Sequence, residues 1–96
     1  MVKHTMLELS TAHLSGETLD ALSMGAIDSV MVYDKTAGWL GTVGYFVAIT
    51  GLEENLPFDL ESCFRFAENR GADWIMFEND AETVSGLKTY TDSILL

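Results

Sequence analysis

The stretch Leu56 to Glu78, LPFDLESCFRFAENRGADWIMFE, constrains this chain most, because it signals a complete helix-then-strand unit with both boundaries marked. Pro57 suits the first helical turn, where a missing N–H costs nothing, and Asp59 and Glu61 put negative charge near the positive end of the helix dipole. Leu60, Cys63, Phe64 and Ala67 fall at i, i+3, i+4 and i+7, one apolar stripe, while Glu61, Arg65, Glu68 and Asn69 fall on other faces. Phe66 lies off that stripe and is expected to be partly exposed. Arg70 closes the last turn and Gly71 supplies a left-handed cap. Trp74-Ile75-Met76-Phe77 is too short for a second helix and too apolar for a surface loop, so it reads as a buried strand. A helix packed back on a sheet is the expected result.

The remaining elements are placed around this unit. Residues 5 to 9 form a first strand with Leu7 and Leu9 on one face, followed by a loop through His13. Ser15 is the N-cap of a short helix with Glu17 in its first turn, Leu19 and Leu22 at helical spacing, and Gly25 at its end. Val30 to Tyr33 is rich in β-formers, Asp34 to Gly38 has turn chemistry, and a return strand runs from Trp39 to about Thr50. Gly41, Thr42 and Gly44 predict a bulge or edge irregularity near its start. Residues 51–55 link to the main helix, 79–82 form a polar turn, and 86–91 add a short strand or lie extended over the core. The fold class is α+β, a split β-α-β-β-α-β (ferredoxin-like) antiparallel sheet with both helices on one face. In that arrangement the first and third strands are parallel and central. It predicts the His13 loop and Glu53-Glu54 at one end, and the Asp34 turn with Glu78, Asp80 and Glu82 at the other.

Ninety-six residues, 48% of them hydrophobic, suffice for one domain, 1–96, with a single core. The apolar run Trp39 to Ile49 is broken by Gly41, Thr42 and Gly44, so no membrane span is read, and the N-terminal stretch does not read as a signal peptide. With one cysteine there is neither an intrachain disulfide nor a Cys-based zinc site, which fits a reducing, cytoplasmic setting. Fifteen acidic against five basic residues give a net charge of −10. That balance argues against direct binding to nucleic acid or anionic membranes; it is compatible with a basic partner surface, and the simpler reading is acidic charge that keeps a small protein soluble.

Residues able to carry chemistry are few. His13 sits where it could act as a base or bind a metal with Glu17 or Glu53, but a loop histidine more simply satisfies a backbone carbonyl. Glu78 to Glu82 lacks the glycine and terminal glutamate of an EF-hand loop, so no metal is assigned. Ser10, Ser15 and Ser62 lack a nucleophile-elbow context, Cys63 reads as buried, and Gly38, Gly41 and Gly44 do not precede a helix as a phosphate loop would. No catalytic residue and no cofactor is expected. One sheet face is left open in such a fold, and Trp39 and Tyr45 are expected on it, as a partner surface or a homodimer seam.

Leu9-Ser10-Thr11-Ala12-His13-Leu14, Gly44-Tyr45-Phe46-Val47, Leu56-Pro57-Phe58-Asp59-Leu60, Phe66-Ala67 with Arg70-Gly71, Asp73-Trp74 and the late Gly86-Leu87 with Tyr90 together resemble a family of uncharacterised small bacterial proteins. Its members share an LSTAH opening, a GWFV-like strand, an LP-x-DL helix start and an RG-x-DW junction. This chain departs from it at Gly41-Thr42-Val43, at Ala72 where a cysteine is common, and in the tail Thr91 to Leu96. The resemblance implies an accessory gene of phages, plasmids and other mobile elements, and implies no catalytic roles. For such a gene, carboxylates that occupy a basic groove built for phosphate point to an anti-CRISPR or anti-restriction inhibitor. Asp34, Glu78, Asp80 and Glu82 are the first candidate contact group, Glu53 and Glu54 the second. The alternative is a non-enzymatic regulatory module, an antitoxin-like partner that uses the open sheet face.

Overall fold

A computed structural model describes residues 3–25, 32–36, 42–49 and 56–90. Strand β1 (Met6–Ser10) leads through a 3-10 turn (Thr11–His13) into α1 (Gly16–Ser23), followed by β2 (Val32–Thr36), β3 (Thr42–Ala48), α2 (Phe58–Glu68) and β4 (Trp74–Glu78). The α+β class and the β-α-β-β-α-β order are those expected. The predicted stripe of α2, Leu60, Cys63, Phe64 and Ala67, is buried throughout. It meets Leu9, Tyr45, Val47, Ile75 and Phe77 from the sheet and Leu22 from α1 in one core, so both helices cover the same sheet face.

Helix boundaries follow the local chemistry. Ser15 caps α1, its side chain accepting from the Thr18 N–H, and Gly25 ends the turn at φ +66°. Pro57 is the N-cap of α2 rather than its first helical residue. Gly71 leaves that helix at φ +74°, the left-handed region that glycine enters without a Cβ penalty. Phe66, off the stripe, is half-buried beneath Arg70, whose guanidinium stands 3.6 Å from the ring centroid.

The sheet departs from expectation in its strand order. Its four strands run β1-β4-β3-β2, with β1 and β4 parallel and the other neighbours antiparallel, so the sheet is mixed and the first and third strands are not the central parallel pair. β4 occupies the interior position because Ile75 and Phe77 are fully buried in the core face. β1 carries exposed Glu8 and Met6 and takes the edge, where a charged side chain is tolerated and blunts strand-to-strand association.

The hairpin strands also shift. Asp34, Lys35 and Thr36, expected in the turn, continue β2, because pairing with β3 satisfies their backbone groups further than local turn chemistry suggested. Lys35 pairs with Gly44 and Thr36 with Thr42, leaving Val43 as an extra residue on β3. That is the bulge expected near the start of the return strand. Residues 86–90 form no strand; the Leu87 N–H closes a turn on the Val84 carbonyl, and Val84 and Leu87 pack on the core. Among the described residues, no helix is long and apolar enough to cross a membrane.

Candidate functional site

The parallel β1–β4 pair decides which groups meet. Both strands end on the same side, so the turn containing His13 and the segment from Glu78 onward share one end of the sheet, which corrects the expectation of opposite ends. Thr11 Oγ1 donates to Asn79 Oδ1 at 3.0 Å and ties the two directly. Gly44 opposite Glu78 brings the start of β3 to that end, and with it the Lys35–Thr36 end of β2. Because α2 returns antiparallel to β4, its N-terminus arrives there too, beside that of α1.

Asp59 joins the two helix starts. Its carboxylate accepts from the Ser15 backbone N–H at 2.7 Å and from the Thr18 hydroxyl at 2.8 Å, which satisfies a buried charge with short, charge-assisted bonds. The sequence placed Asp59 only as a partner of the helix dipole. Its long-range role depends on α1 and α2 starting side by side, which no local pattern announces.

His13 is buried to 1% exposure, and both ring nitrogens are used. Nδ1 lies 2.9 Å from the Lys88 carbonyl oxygen, and Nε2 accepts from the Val84 N–H at 3.0 Å. A carbonyl only accepts and an amide only donates, so the ring is the neutral tautomer with its proton on Nδ1. Tyr90 N–H donates to the Ala12 carbonyl at 2.8 Å, a second tie between the same two segments. His13 thus satisfies a backbone carbonyl, as the simpler expectation held, and it does so in a segment 75 residues away. Both nitrogens are thus engaged by backbone groups of the segment 84–88. The Cys63 thiol, fully buried, donates weakly to the His13 carbonyl at 3.9 Å. Burial, and secondarily the Asp59 carboxylate, push it up to about 12, so it is a neutral packing group and not a nucleophile.

Between α2 and the strap of residues 84–90 lies a cleft of about 100 Å³, lined by His13, Phe58, Asp59, Ser62, Leu87 and Tyr90 among others. Phe58 stands 79% exposed at its rim, and the Lys88 ammonium lies 4.9 Å from the Tyr90 ring centroid. The cleft is too small for a drug-sized ligand, which needs several hundred Å³. Among the described residues, no three His, Cys, Asp or Glu side chains are grouped to hold a metal. His4, near Asp73 at the opposite end of β1, does not converge with His13.

The expected contact residues are partly brought together. Asp80 and Glu82 are exposed on the segment after β4, and half-buried Glu78 ends that strand. Asp34 pairs with Tyr45 in the ladder; its side chain, and all of Glu53 and Glu54, lie outside the described residues. The face away from the helices carries Phe46, Trp74 and Met76, half-buried, with Met6 46% exposed. Tyr45, expected on that face, is instead 9% exposed in the core, because it stands opposite Phe77 and paired residues share a face. Trp39 lies outside the described residues. Among the described side chains, the aromatics of the open face are therefore Phe46 and Trp74, which the correct parity of β3 and β4 would have identified.

No curated protein and no solved structure matches the chain. Residues 6–92, from the first residue of β1 to beyond the strap, match the C-terminal domain of a family of unknown function, DUF5983. The match takes in every element that builds the His13 end, and the chain belongs to that family.

Proposed function

We propose that this protein is an acidic inhibitor encoded by a phage or other mobile element. In this reading it acts in the host cytoplasm, binds a basic surface of a DNA-targeting complex of the CRISPR or restriction type, and blocks access of DNA. The observation that carries the reading is the exposure of Asp80 and Glu82 beside Glu78 at one end of the sheet, in a chain of net charge −10. Carboxylates presented together compete for a groove that holds phosphate largely by charge, and such a contact weakens as salt rises. It assigns no catalysis, no cofactor and no direct contact with nucleic acid.

The open sheet face supports a second reading, a regulatory module that binds an apolar partner or a second copy of itself through Met6, Phe46, Trp74 and Met76. Capture of partners from a host carrying both defence systems, washed at low and then at high salt, separates the two. The inhibitor reading expects a nuclease or surveillance subunit retained at low salt and lost at high salt, and lost at both for a variant combining Asp80→Lys and Glu82→Lys. Retention of the same partner by that variant would overturn the assignment of the acidic end. A partner that resists salt and is lost with Met76→Glu would favour the sheet face.

A further inference from the structure

We propose that His13 is a proton-sensitive clasp, closed on residues 84–90 while its ring is neutral and opened when the ring gains a proton. Imidazole is the side chain that changes charge near neutrality, and here the neutral form is required by both partners. Nδ1–H donates to the Lys88 carbonyl and Nε2 accepts from the Val84 N–H. Protonation leaves the first bond intact and turns Nε2 into a donor that faces another donor. The Val84 N–H then loses its acceptor in a part-buried site, and the added charge sits on a residue 1% exposed.

The charged and titratable groups around the ring do not restore an acceptor to the Val84 N–H. From α2, Asp59 lines the same cleft; its negative charge favours the protonated ring, while its oxygens already accept from Ser15 and Thr18. Cys63 offers only a neutral thiol, directed at the His13 carbonyl. From the strap, the Lys88 ammonium lies over the Tyr90 ring and adds a like charge. The strap also carries the Tyr90–Ala12 backbone bond and the partly buried Val84 and Leu87, and it pairs with no strand of the sheet, so it can open locally while the sheet stays closed. Opening uncovers the cleft beside Phe58 and frees the chain just after Glu82. The clasp does not depend on which partner the acidic end binds.

The test is an NMR titration of the full 15N-labelled chain from about pH 7.5 to about pH 5, the range in which imidazole changes charge. It follows the His13 ring nitrogens together with hydrogen exchange at the Val84 and Tyr90 amides, corrected for intrinsic rates. As the ring protonates, protection at both amides is expected to fall about tenfold or more, the scale of one lost buried hydrogen bond, while Val47 and Phe77 in the sheet keep theirs. His13→Gln, which cannot titrate, should abolish the pH step. Three outcomes would overturn the clasp: a ring that stays neutral across the range, protonation with Val84 and Tyr90 unchanged, or loss of protection at the strap and the sheet together. Should His13→Gln fail to fold, the titration of the unsubstituted chain decides alone.

Discussion

Asp59 is the residue on which the two helices depend most directly, since one carboxylate serves a backbone donor of α1's N-cap and a side-chain donor one turn later. Asp59→Ala strands both donors in a part-buried junction and should lower unfolding stability by about 2–3 kcal/mol, measurable by urea denaturation. Thr18→Ala should cost less, and a double-mutant cycle of the two should show clear coupling. Cys63 makes an independent statement about pH. Its thiol is held at about 12 against an ordinary 9.0, so the folded state keeps the proton longer than the unfolded chain. That stabilising contribution is complete below about 9 and is lost as pH rises toward about 12. Cys63→Ala should flatten the alkaline limb of a stability–pH curve, and native Cys63 should resist alkylation at neutral pH until denaturant is added. The burial of Cys63 was legible, because it sits on a clean helical stripe. The hydrogen-bond partners of His13 were not, because they are backbone groups of a segment with no periodic pattern of its own.

At the scale of elements, the pieces fixed by neighbours in sequence were legible and the pairings between distant pieces were not. Ser15, Gly25 and Gly71 mark their helix ends through hydrogen bonds or dihedral freedom confined to a few residues, and each stands where its chemistry placed it. The interruption at Gly44 was also readable, but not its cause. A Cβ built on Gly44 would lie 2.0 Å from the Phe77 carbonyl oxygen, so β3 and β4 approach there in a way only glycine allows. Gly44→Ala should therefore destabilise by about 3 kcal/mol or more, since the obstacle is backbone of a central strand and not a movable side chain. Gly71→Ala meets no atom within 4 Å and bears only the left-handed dihedral, so about 1 kcal/mol is expected. Thermal melts of the two variants side by side test whether close approach outweighs backbone conformation. The choice of β4 over β1 for the interior rested on small differences, Glu8 against the buried pair Ile75 and Phe77. Those differences tell only once the strands compete for one sheet.

At the scale of the whole molecule, strand order becomes charge distribution. Exchanging a central β1 for a central β4 brings the ends of two parallel strands together, and with them the His13 turn and the acidic segment that follows Glu78. Composition showed the excess of carboxylates; it could not show where they collect, because that depends on which strands are neighbours. A chain of net charge −10 stores self-repulsion that salt relieves, so its melting temperature should rise between about 10 mM and about 150 mM NaCl, where the screening length shortens from about 30 Å to about 8 Å. Asp80 and Glu82 are exposed and follow the last strand, so replacing them with Asn and Gln removes repulsion and disturbs no described core contact. The double variant should be as stable as the parent within about 0.5 kcal/mol, or slightly more stable, with a weaker salt response. If these carboxylates serve binding, the same variant should lose partner capture at low salt while melting no earlier than the parent. Loss of capture together with a clear fall in melting temperature would instead assign them a part in holding the segment after β4, and the acidic end would no longer qualify as a contact surface kept at a cost to stability.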